Sequence, residues 1–131
     1  MIRQFDPAGF MKKYLYNHHR KTLFDYFLDE LEDIKPKCEK LRIFIFGSFI
    51  TIKKEPNDID VLINLVPNAD NVYPMMKERI HTKYPDKVDI KYVKTQLFLI
   101  DPELTIRHFN ENPLNIKDDI KIKRSVEITG L

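Results

Sequence analysis

Two apolar segments joined by a polar turn constrain the fold of this chain more than any other feature. The first segment, residues 41–46, runs into Gly47-Ser48, and the second begins at Asp58-Ile-Asp60. Residues two apart on a strand project to the same face of a sheet, so the carboxylates of Asp58 and Asp60 are expected to point to one side. The pattern predicts two neighbouring strands that carry acidic side chains beside a glycine turn.

A third acidic residue lies on a later predicted strand. Asp89 is the lone acid in the short run 88–93, and alternation puts it on the same face as Lys91. Mg²⁺ takes oxygen ligands and is usually held by one or two carboxylates together with substrate phosphates. Two such ions, roughly 3.5–4 Å apart, can hold the attacking and leaving oxygens of a phosphoryl transfer. Asp58, Asp60 and Asp89 are therefore candidate ligands of Mg²⁺ or Mn²⁺.

The Gly47-Ser48 turn is the candidate phosphate site. Its backbone N–H groups and the Ser48 hydroxyl can donate hydrogen bonds to a triphosphate. Lys53 and Lys91 are candidate phosphate contacts, although Lys91 equally suits a pairing with an acidic neighbour. A glycine-serine turn alone is ordinary turn chemistry. The order of three features on the required elements is what indicates a nucleotide site.

In this order the motif resembles the signature of the nucleotidyltransferase superfamily, which has a polymerase-β-like fold. The resemblance covers about residues 41–93, and the run from Gly47 to Val61 is similar to that of short, minimal members, some of which occur in toxin–antitoxin or defence systems. Many members carry an arginine and a glycine soon after the Gly-Ser. This chain has Phe49-Ile-Thr-Ile-Lys-Lys there, and Lys53 and Lys54 are the candidate replacements for the arginine.

The resemblance implies roles for individual residues. Asp58, Asp60 and Asp89 would be catalytic and bind metal, while Gly47 and Ser48 would bind the nucleoside triphosphate. The implied reaction moves a nucleoside monophosphate from a triphosphate such as ATP to a macromolecular acceptor, either a protein hydroxyl or a tRNA 3′ end. A toxin or antitoxin protein would be the partner in a toxin–antitoxin system.

Two other functions remain open. One is a catalytically silent nucleotidyltransferase-like module that binds a partner protein or a nucleic acid. The other is a small-molecule, drug-modifying nucleotidyltransferase. A chain this short leaves little beyond the core to build a substrate domain, so a homo-oligomer would have to complete that site.

Length and composition indicate one domain spanning residues 1–131. With 131 residues and 43% hydrophobic content, the chain can bury one sizeable core. The formal net charge is only +2, so no global basic field demands a nucleic-acid partner. The lone Cys38 excludes an internal disulfide and favours a reduced, cytoplasmic setting. No run approaches the roughly 18–20 apolar residues that span a bilayer, so a membrane role is not expected.

The predicted fold class is α/β (α+β), a small mixed β-sheet flanked by helices in a nucleotidyltransferase fold. The predicted segments are helical residues 8–38 as one helix or two, a catalytic core over 41–93, and a C-terminal helix and extended segment over 96–131. Within the core, strands are predicted at 41–46, 59–66 and 87–93, and a helix at 70–83. Asp101-Pro102 is the expected start of the later helix.

Two basic segments lie outside the motif. His18-His19-Arg20 is expected to be exposed helix surface. Residues 117–124 alternate apolar and basic side chains over 120–124 in strand fashion and are usually a solvated strand face. They would instead receive an RNA or nucleotide phosphate if the segment borders the metal site.

Overall fold

The computed structural model describes residues 2–68, 79–80, 82–94, 101–111 and 122–131. These residues form one six-stranded sheet with helices packed on both of its faces. The elements in chain order are β1 (Arg3–Phe5), α1 (Pro7–Tyr14), α2 (His18–Ile34), β2 (Cys38–Phe46), β3 (Ile59–Pro67), β4 (Arg79–Ile80), β5 (Val88–Lys94), α3 (Pro102–Glu111) and β6 (Ser125–Ile128). Short 3-10 turns lie at Lys35–Lys37 and Gly47–Ile50.

The sheet is mixed, with the strand order β1-β6-β2-β3-β5-β4. β2 pairs antiparallel with both β3 and β6, whereas β3 and β5 pair in parallel. β1 joins the far edge by pairing in parallel with β6, so the two ends of the chain meet there. The mixed sheet flanked by helices confirms the predicted fold class, while the identity of the nucleotidyltransferase fold stays a prediction.

Alternation along the strands divides the core into two clusters, one on each face of the sheet. Strand residues such as Ile43, Val61 and Ile90 point toward α1 and α2, where they meet aromatic and aliphatic side chains. The opposite face carries a smaller cluster, whose buried members are Phe44, Phe46, Leu62, Val93, Phe109 and Ile122. Each fully buried side chain of this kind contributes about 1.5–3 kcal/mol. Phe109 lies on α3, so the acidic side chains that share this second face lie on the α3 side.

Side-chain caps fix where the first two helices begin. Asp6 accepts a hydrogen bond of 2.7 Å from the backbone N–H of Gly9, and Pro7 occupies the first helical turn of α1. Asn17 caps α2 in the same way, by accepting from the backbone N–H of Arg20 at 2.9 Å. The helical prediction over residues 8–38 is thus confirmed as two helices and a 3-10 turn, although residue 38 already belongs to β2.

The predicted helix over residues 70–83 is wrong at residues 79–80. Arg79 and Ile80 form the edge strand β4, which pairs antiparallel with Lys91 and Ile90 of β5. The open hydrogen-bonding edge of β5 explains the difference, because it can take a partner strand whatever the local helical spacing. Residues 82 and 83 are not helical either, and residues 70–78 and 81 of the predicted helix lie outside the described residues.

The C-terminal predictions are borne out with shifted bounds. α3 begins at Pro102, directly after Asp101 as expected. β6 runs over Ser125–Ile128, within the predicted extended C-terminal segment. Of the alternating run over 120–124, residues 122–124 are not in a strand, and residues 112–121 lie outside the described residues. None of the helices in the described ranges is both long enough and apolar enough to cross a membrane.

Candidate functional site

Four register partners form a row across the four central strands, at one end of the sheet. Ser125 on β6 pairs with Phe46 on β2, Phe46 pairs with Asp60 on β3, and Asp60 pairs with Asp89 on β5. Side chains of directly opposed residues project to the same face, and adjacent strands lie about 4.8 Å apart. Asp60 and Asp89, far apart in sequence, are therefore neighbours on the α3 face of the sheet.

Gly47 lies against the Asp60 carboxylate. It has a φ of 73°, in the left-handed region that favours glycine. A Cβ atom placed on it would overlap the Asp60 Oδ2 atom and lie 3.3 Å from the carboxyl carbon. The turn that starts here continues through Ser48, whose carbonyl oxygen accepts hydrogen bonds from the Thr51 backbone N–H and hydroxyl. The glycine of the predicted phosphate turn is thus in direct contact with one of the predicted acids.

Asp58 lies directly before β3 and is half-buried. Its pKa is raised above the ordinary value, first by burial and then by the negative charge of Asp89. The positive charges of Lys91 and Lys53 and a hydrogen bond from its own backbone N–H oppose this rise in its pKa. Asp58 therefore lies within electrostatic reach of the third acid, although it is not part of the paired row.

Lys91 forms an ion pair inside the site. Its Nζ atom donates to Asp89 Oδ2 at 2.9 Å, and its side chain is only 3% exposed whereas that of Asp89 is 24% exposed. The two residues are separated by one position on β5 and share a face, as the alternation predicts. Of the two uses that the sequence leaves open for Lys91, the structure shows the pairing with an acidic neighbour.

Lys53 lies on the loop between Gly47 and Asp58. Its side chain is exposed, and its charge is one of those that lower the pKa of Asp58. Its backbone carbonyl accepts hydrogen bonds from Arg20 Nη2 at 2.6 Å, from Arg20 Nε at 3.1 Å and from the Tyr16 hydroxyl at 3.2 Å. The backbone at Lys53 is therefore fixed while its ammonium group remains on the surface.

Arg20 is the residue near the site that sequence reasoning missed. The expectation that it lies on exposed helix surface is wrong, because its side chain is fully buried. The guanidinium group donates to four backbone carbonyls, those of Tyr14, Phe49, Thr51 and Lys53. Burial lowers the pKa of the Arg20 guanidinium. The helical spacing held the signal, since Arg20 precedes buried Leu23, Phe24 and Phe27 at intervals of three, four and seven residues.

Two further contacts join the start of α2 to the same loop. Asn17 Nδ2 donates to the Lys54 carbonyl oxygen at 2.7 Å, and His19 Nε2 lies 2.6 Å from the Pro56 carbonyl oxygen. Together with Arg20 they fix the loop that runs from the glycine turn to Asp58. Residues at the start of α2 thus hold this loop in place by hydrogen bonds to its carbonyl oxygens.

The donor chemistry of the three aspartates fits a hard divalent cation, which prefers oxygen ligands. Asp60 and Asp89 lie side by side, and the negative charge of Asp89 raises the pKa of Asp58. Within the described residues no three His, Cys, Asp or Glu side chains already form a metal-binding group. Among the described residues, Lys91 and Lys53 supply positive charge to this acidic site.

Comparison with known proteins assigns the chain to a family. A family model described as "Family of unknown function (DUF6932)" matches residues 3–121. The chain belongs to the DUF6932 family. The matched span contains every candidate residue of the site and ends before β6, so Ser125 lies outside it. No curated protein and no solved structure matches this DUF6932 chain significantly.

Proposed function

We propose that this DUF6932 chain is a metal-dependent nucleotidyltransferase, which transfers a nucleoside monophosphate from a nucleoside triphosphate to an acceptor hydroxyl. The observation that carries the proposal is the arrangement of Gly47, Asp60 and Asp89. The glycine turn contacts Asp60, and Asp60 pairs in register with Asp89. These are the groups that the resemblance to nucleotidyltransferases makes responsible for phosphate and metal.

The glycine turn is the proposed contact for the triphosphate. The backbone N–H groups of the turn and the Ser48 hydroxyl would donate hydrogen bonds to its phosphates. Lys53 and Lys91 both supply positive charge to the acidic residues. The fixed loop backbone keeps Lys53 near this position, since Arg20 and Tyr16 hold its carbonyl oxygen.

Asp58, Asp60 and Asp89 are the residues that would hold Mg²⁺ or Mn²⁺. When bound, the ion supplies positive charge against the triphosphate and the leaving pyrophosphate. In the reaction, the bond between the acceptor oxygen and the α-phosphorus forms as the bond from that phosphorus to the β-phosphate oxygen breaks. Asp89, whose carboxylate Lys91 positions at 2.9 Å, is the proposed acceptor of the proton from the attacking hydroxyl.

A catalytically silent binding module is the second candidate function. The ion pair between Lys91 and Asp89 favours it, because a buried lysine already compensates the carboxylate that the reaction would need. In such a module the acidic residues and Lys91 stabilise the fold and present a surface to a partner. The two candidates differ in whether a triphosphate binds.

Thermal unfolding with Mg²⁺ or Mn²⁺ and each of the four ribonucleoside triphosphates tests the proposal. A ligand that binds only the native state, at a concentration of 100 times its Kd, stabilises that state by about 2.7 kcal/mol. We expect a metal-dependent stabilisation with at least one triphosphate, which is lost in Asp60→Asn. Asp86→Asn removes the same charge from an exposed turn and should keep the stabilisation.

Incorporation of label from the α-phosphate of the active triphosphate then identifies the acceptor. Labelled RNA, labelled protein and labelled small molecules separate the three acceptor classes after one reaction with a cell extract. Absence of stabilisation by every triphosphate in the wild-type protein would contradict nucleotidyl transfer and support the silent module.

A further inference from the structure

A basic cleft of about 980 Å³ lies at the β1–β6 edge of the sheet. It is bordered by β1, the end of α1, the loop at 50–54, the start of α3 and the residues that lead into β6. Its charged lining residues are Arg3, Lys13, Lys54, Lys123, Arg124 and Glu103. Among the residues that the structure describes, five cations and one acid line the cleft, although the formal net charge of the whole chain is only +2. The positive charge is therefore a local property of this cleft.

Two of the cleft cations, Arg3 and Arg124, act on one lining residue. Tyr14 lines the cleft, and burial raises the pKa of its hydroxyl. The positive charges of Arg3 and Arg124 both oppose this rise in its pKa. Side chains from the first strand and from the segment before the last strand thus act on the same tyrosine.

The cleft borders the acidic site. Ser125 lines it and begins the row that continues through Phe46 to Asp60, so two strand spacings, roughly 10 Å, separate Ser125 from Asp60. The lining residue Ile50 ends the glycine turn, and the lining residue Thr51 directly follows it. A linear ligand bound in the cleft can therefore extend one end toward the carboxylates.

An exposed aromatic ring stands in the wall of the cleft. Tyr16 is 49% exposed, and the Arg20 guanidinium lies 4.5 Å from the centroid of its ring. Its hydroxyl donates to the Lys53 carbonyl oxygen at 3.2 Å, so both the ring and the hydroxyl are held in place. Proteins that bind single-stranded nucleic acids combine such rings, on which bases stack, with a cationic groove that follows the phosphates.

We propose that this cleft binds single-stranded nucleic acid, with phosphates on the five cations and a base stacked on Tyr16. An acceptor role for the bound strand rests on the proposed nucleotidyl transfer, whereas the binding itself does not. The strand end would then lie next to Asp60 and Asp89, where its terminal hydroxyl attacks the triphosphate. Residues 123 and 124 thereby acquire the phosphate-binding role that the sequence left as an alternative to a solvated strand face.

Fluorescence anisotropy with labelled single strands of about 12 nucleotides, within the known range of site sizes, tests the binding. RNA, DNA and duplex of the same sequence are compared in the absence of metal and triphosphate. We expect the single strands to bind and the duplex to bind more weakly. Tighter binding of RNA than of DNA would support an RNA acceptor, and equal binding would support a site that reads phosphate and base alone.

The double variant Lys123→Glu/Arg124→Glu removes two of the proposed phosphate contacts. We expect at least about tenfold weaker binding and a salt slope reduced by about 1.4, since each single-strand contact contributes about 0.7. Lys37→Glu/Lys40→Glu is the matched control. Both lysines are exposed, Lys37 directly before β2 and Lys40 in its first residues, at the end of β2 opposite to the glycine turn. Either variant changes the formal net charge from +2 to −2, with 20 basic and 22 acidic residues instead of 22 and 20.

Two Tyr16 variants test the stacking. Tyr16→Ala should weaken binding by about tenfold, because base stacking on an aromatic ring contributes on this scale. Tyr16→Phe keeps the ring but loses the hydrogen bond to Lys53, and it should bind like the wild type. Weakening in both would show that the tyrosine acts only by holding the loop, which would overturn the stacking.

Equal weakening by both double variants, or no binding of any single strand, would overturn the proposed cleft. Preference for the duplex would overturn its single-strand character. These outcomes are independent of the proposed function, because the binding measurement contains no triphosphate. If the protein binds single strands but no triphosphate stabilises it, the proposed nucleic-acid cleft is supported and the proposed nucleotidyl transfer is contradicted.

Discussion

Gly47 and Asp60 are in such close contact that no side chain fits between them. A Cβ on Gly47 would overlap the carboxylate of Asp60, and the φ of 73° at Gly47 is in any case unfavourable for other residues. The glycine turn and the first acidic residue of β3 are therefore one unit of structure. This contact explains in physical terms why a glycine stands next to the acids of the predicted site.

Replacing Gly47 by alanine tests this contact. Gly47→Ala should lower the free energy of unfolding by about 3 kcal/mol. This loss combines the cost of a left-handed backbone conformation for alanine with the cost of steric overlap. Gly130→Ala is the control, because Gly130 has a φ of 79° but its Cβ would lie 3.8 Å from the nearest atom, on Pro7. It should lose only about 1–2 kcal/mol. Urea unfolding measures both changes.

A double-mutant cycle isolates the part of the loss that belongs to the carboxylate. In Gly47→Ala/Asp60→Ala the overlapping oxygen is gone, and the Asp60 Cβ would lie 3.5 Å from the new methyl group. The double variant should therefore lose less stability than the two single variants summed. Strict additivity would show that only the backbone conformation of Gly47 matters.

Arg20 should be the most sensitive polar residue of α2. Arg20→Met leaves four carbonyl oxygens without their charged donor, so we expect a loss of about 3 kcal/mol in the free energy of unfolding. Arg20→Lys should recover little, because an ammonium group lacks the planar fork of five N–H donors. Lys21→Met, an exposed neighbour on the same helix, should change stability little. Full stability of Arg20→Met would mean that water replaces the guanidinium.

Asp58 should make stability depend on pH in a defined direction. Its folded pKa lies above its ordinary value of 3.8, first because of burial and then because of Asp89, so folding favours its protonated form. The contribution of protonated Asp58 to the free energy of unfolding is fully present below the unfolded pKa and is lost as the pH rises through the folded pKa. Asp58→Asn should therefore be more stable than the wild type at neutral pH, with the gain fading toward pH 3.8 and below.

Unfolding of Asp58→Asn across this pH range is compared with Asp86→Asn. The control removes the same charge from an exposed turn. A gain of the same size in both variants would assign the effect to net charge rather than to the surroundings of Asp58. Under the proposed function, Mg²⁺ should reduce the gain at neutral pH, because it stabilises the ionised carboxylate.

Lys91 links the acidic site to stability. Lys91→Met removes the ion pair between Lys91 and Asp89, and we expect a loss of about 2 kcal/mol in the free energy of unfolding because Asp89 is partly exposed. Lys87→Met, exposed in the turn before β5, is the control and should lose little. If the aspartates bind Mg²⁺, saturating Mg²⁺ should restore more stability to Lys91→Met than to the wild type. Equal effects of Mg²⁺ on both proteins would argue against metal binding near Asp89.

Local patterns were sufficient to predict most elements of the fold. The strands near residues 41–46, 59–66 and 87–93, the helical N-terminal segment and the start of α3 at Pro102 all follow from periodicity and from residues that begin or end elements. These features depend on neighbours within a few residues, which the sequence contains directly. The grouping of Asp89 with Lys91 on one face follows for the same reason.

The sequence by itself determined which residues carry the chemistry, whereas the tertiary structure decided which of them meet. The register that places Asp60 beside Asp89 depends on how two strands distant in sequence pair, and the contact between Gly47 and Asp60 depends on the turn conformation. The burial of Arg20 depends on the carbonyl groups of a loop some thirty residues later. Pairings over such separations are fixed by packing and hydrogen bonding of the whole chain, and no local pattern contains them.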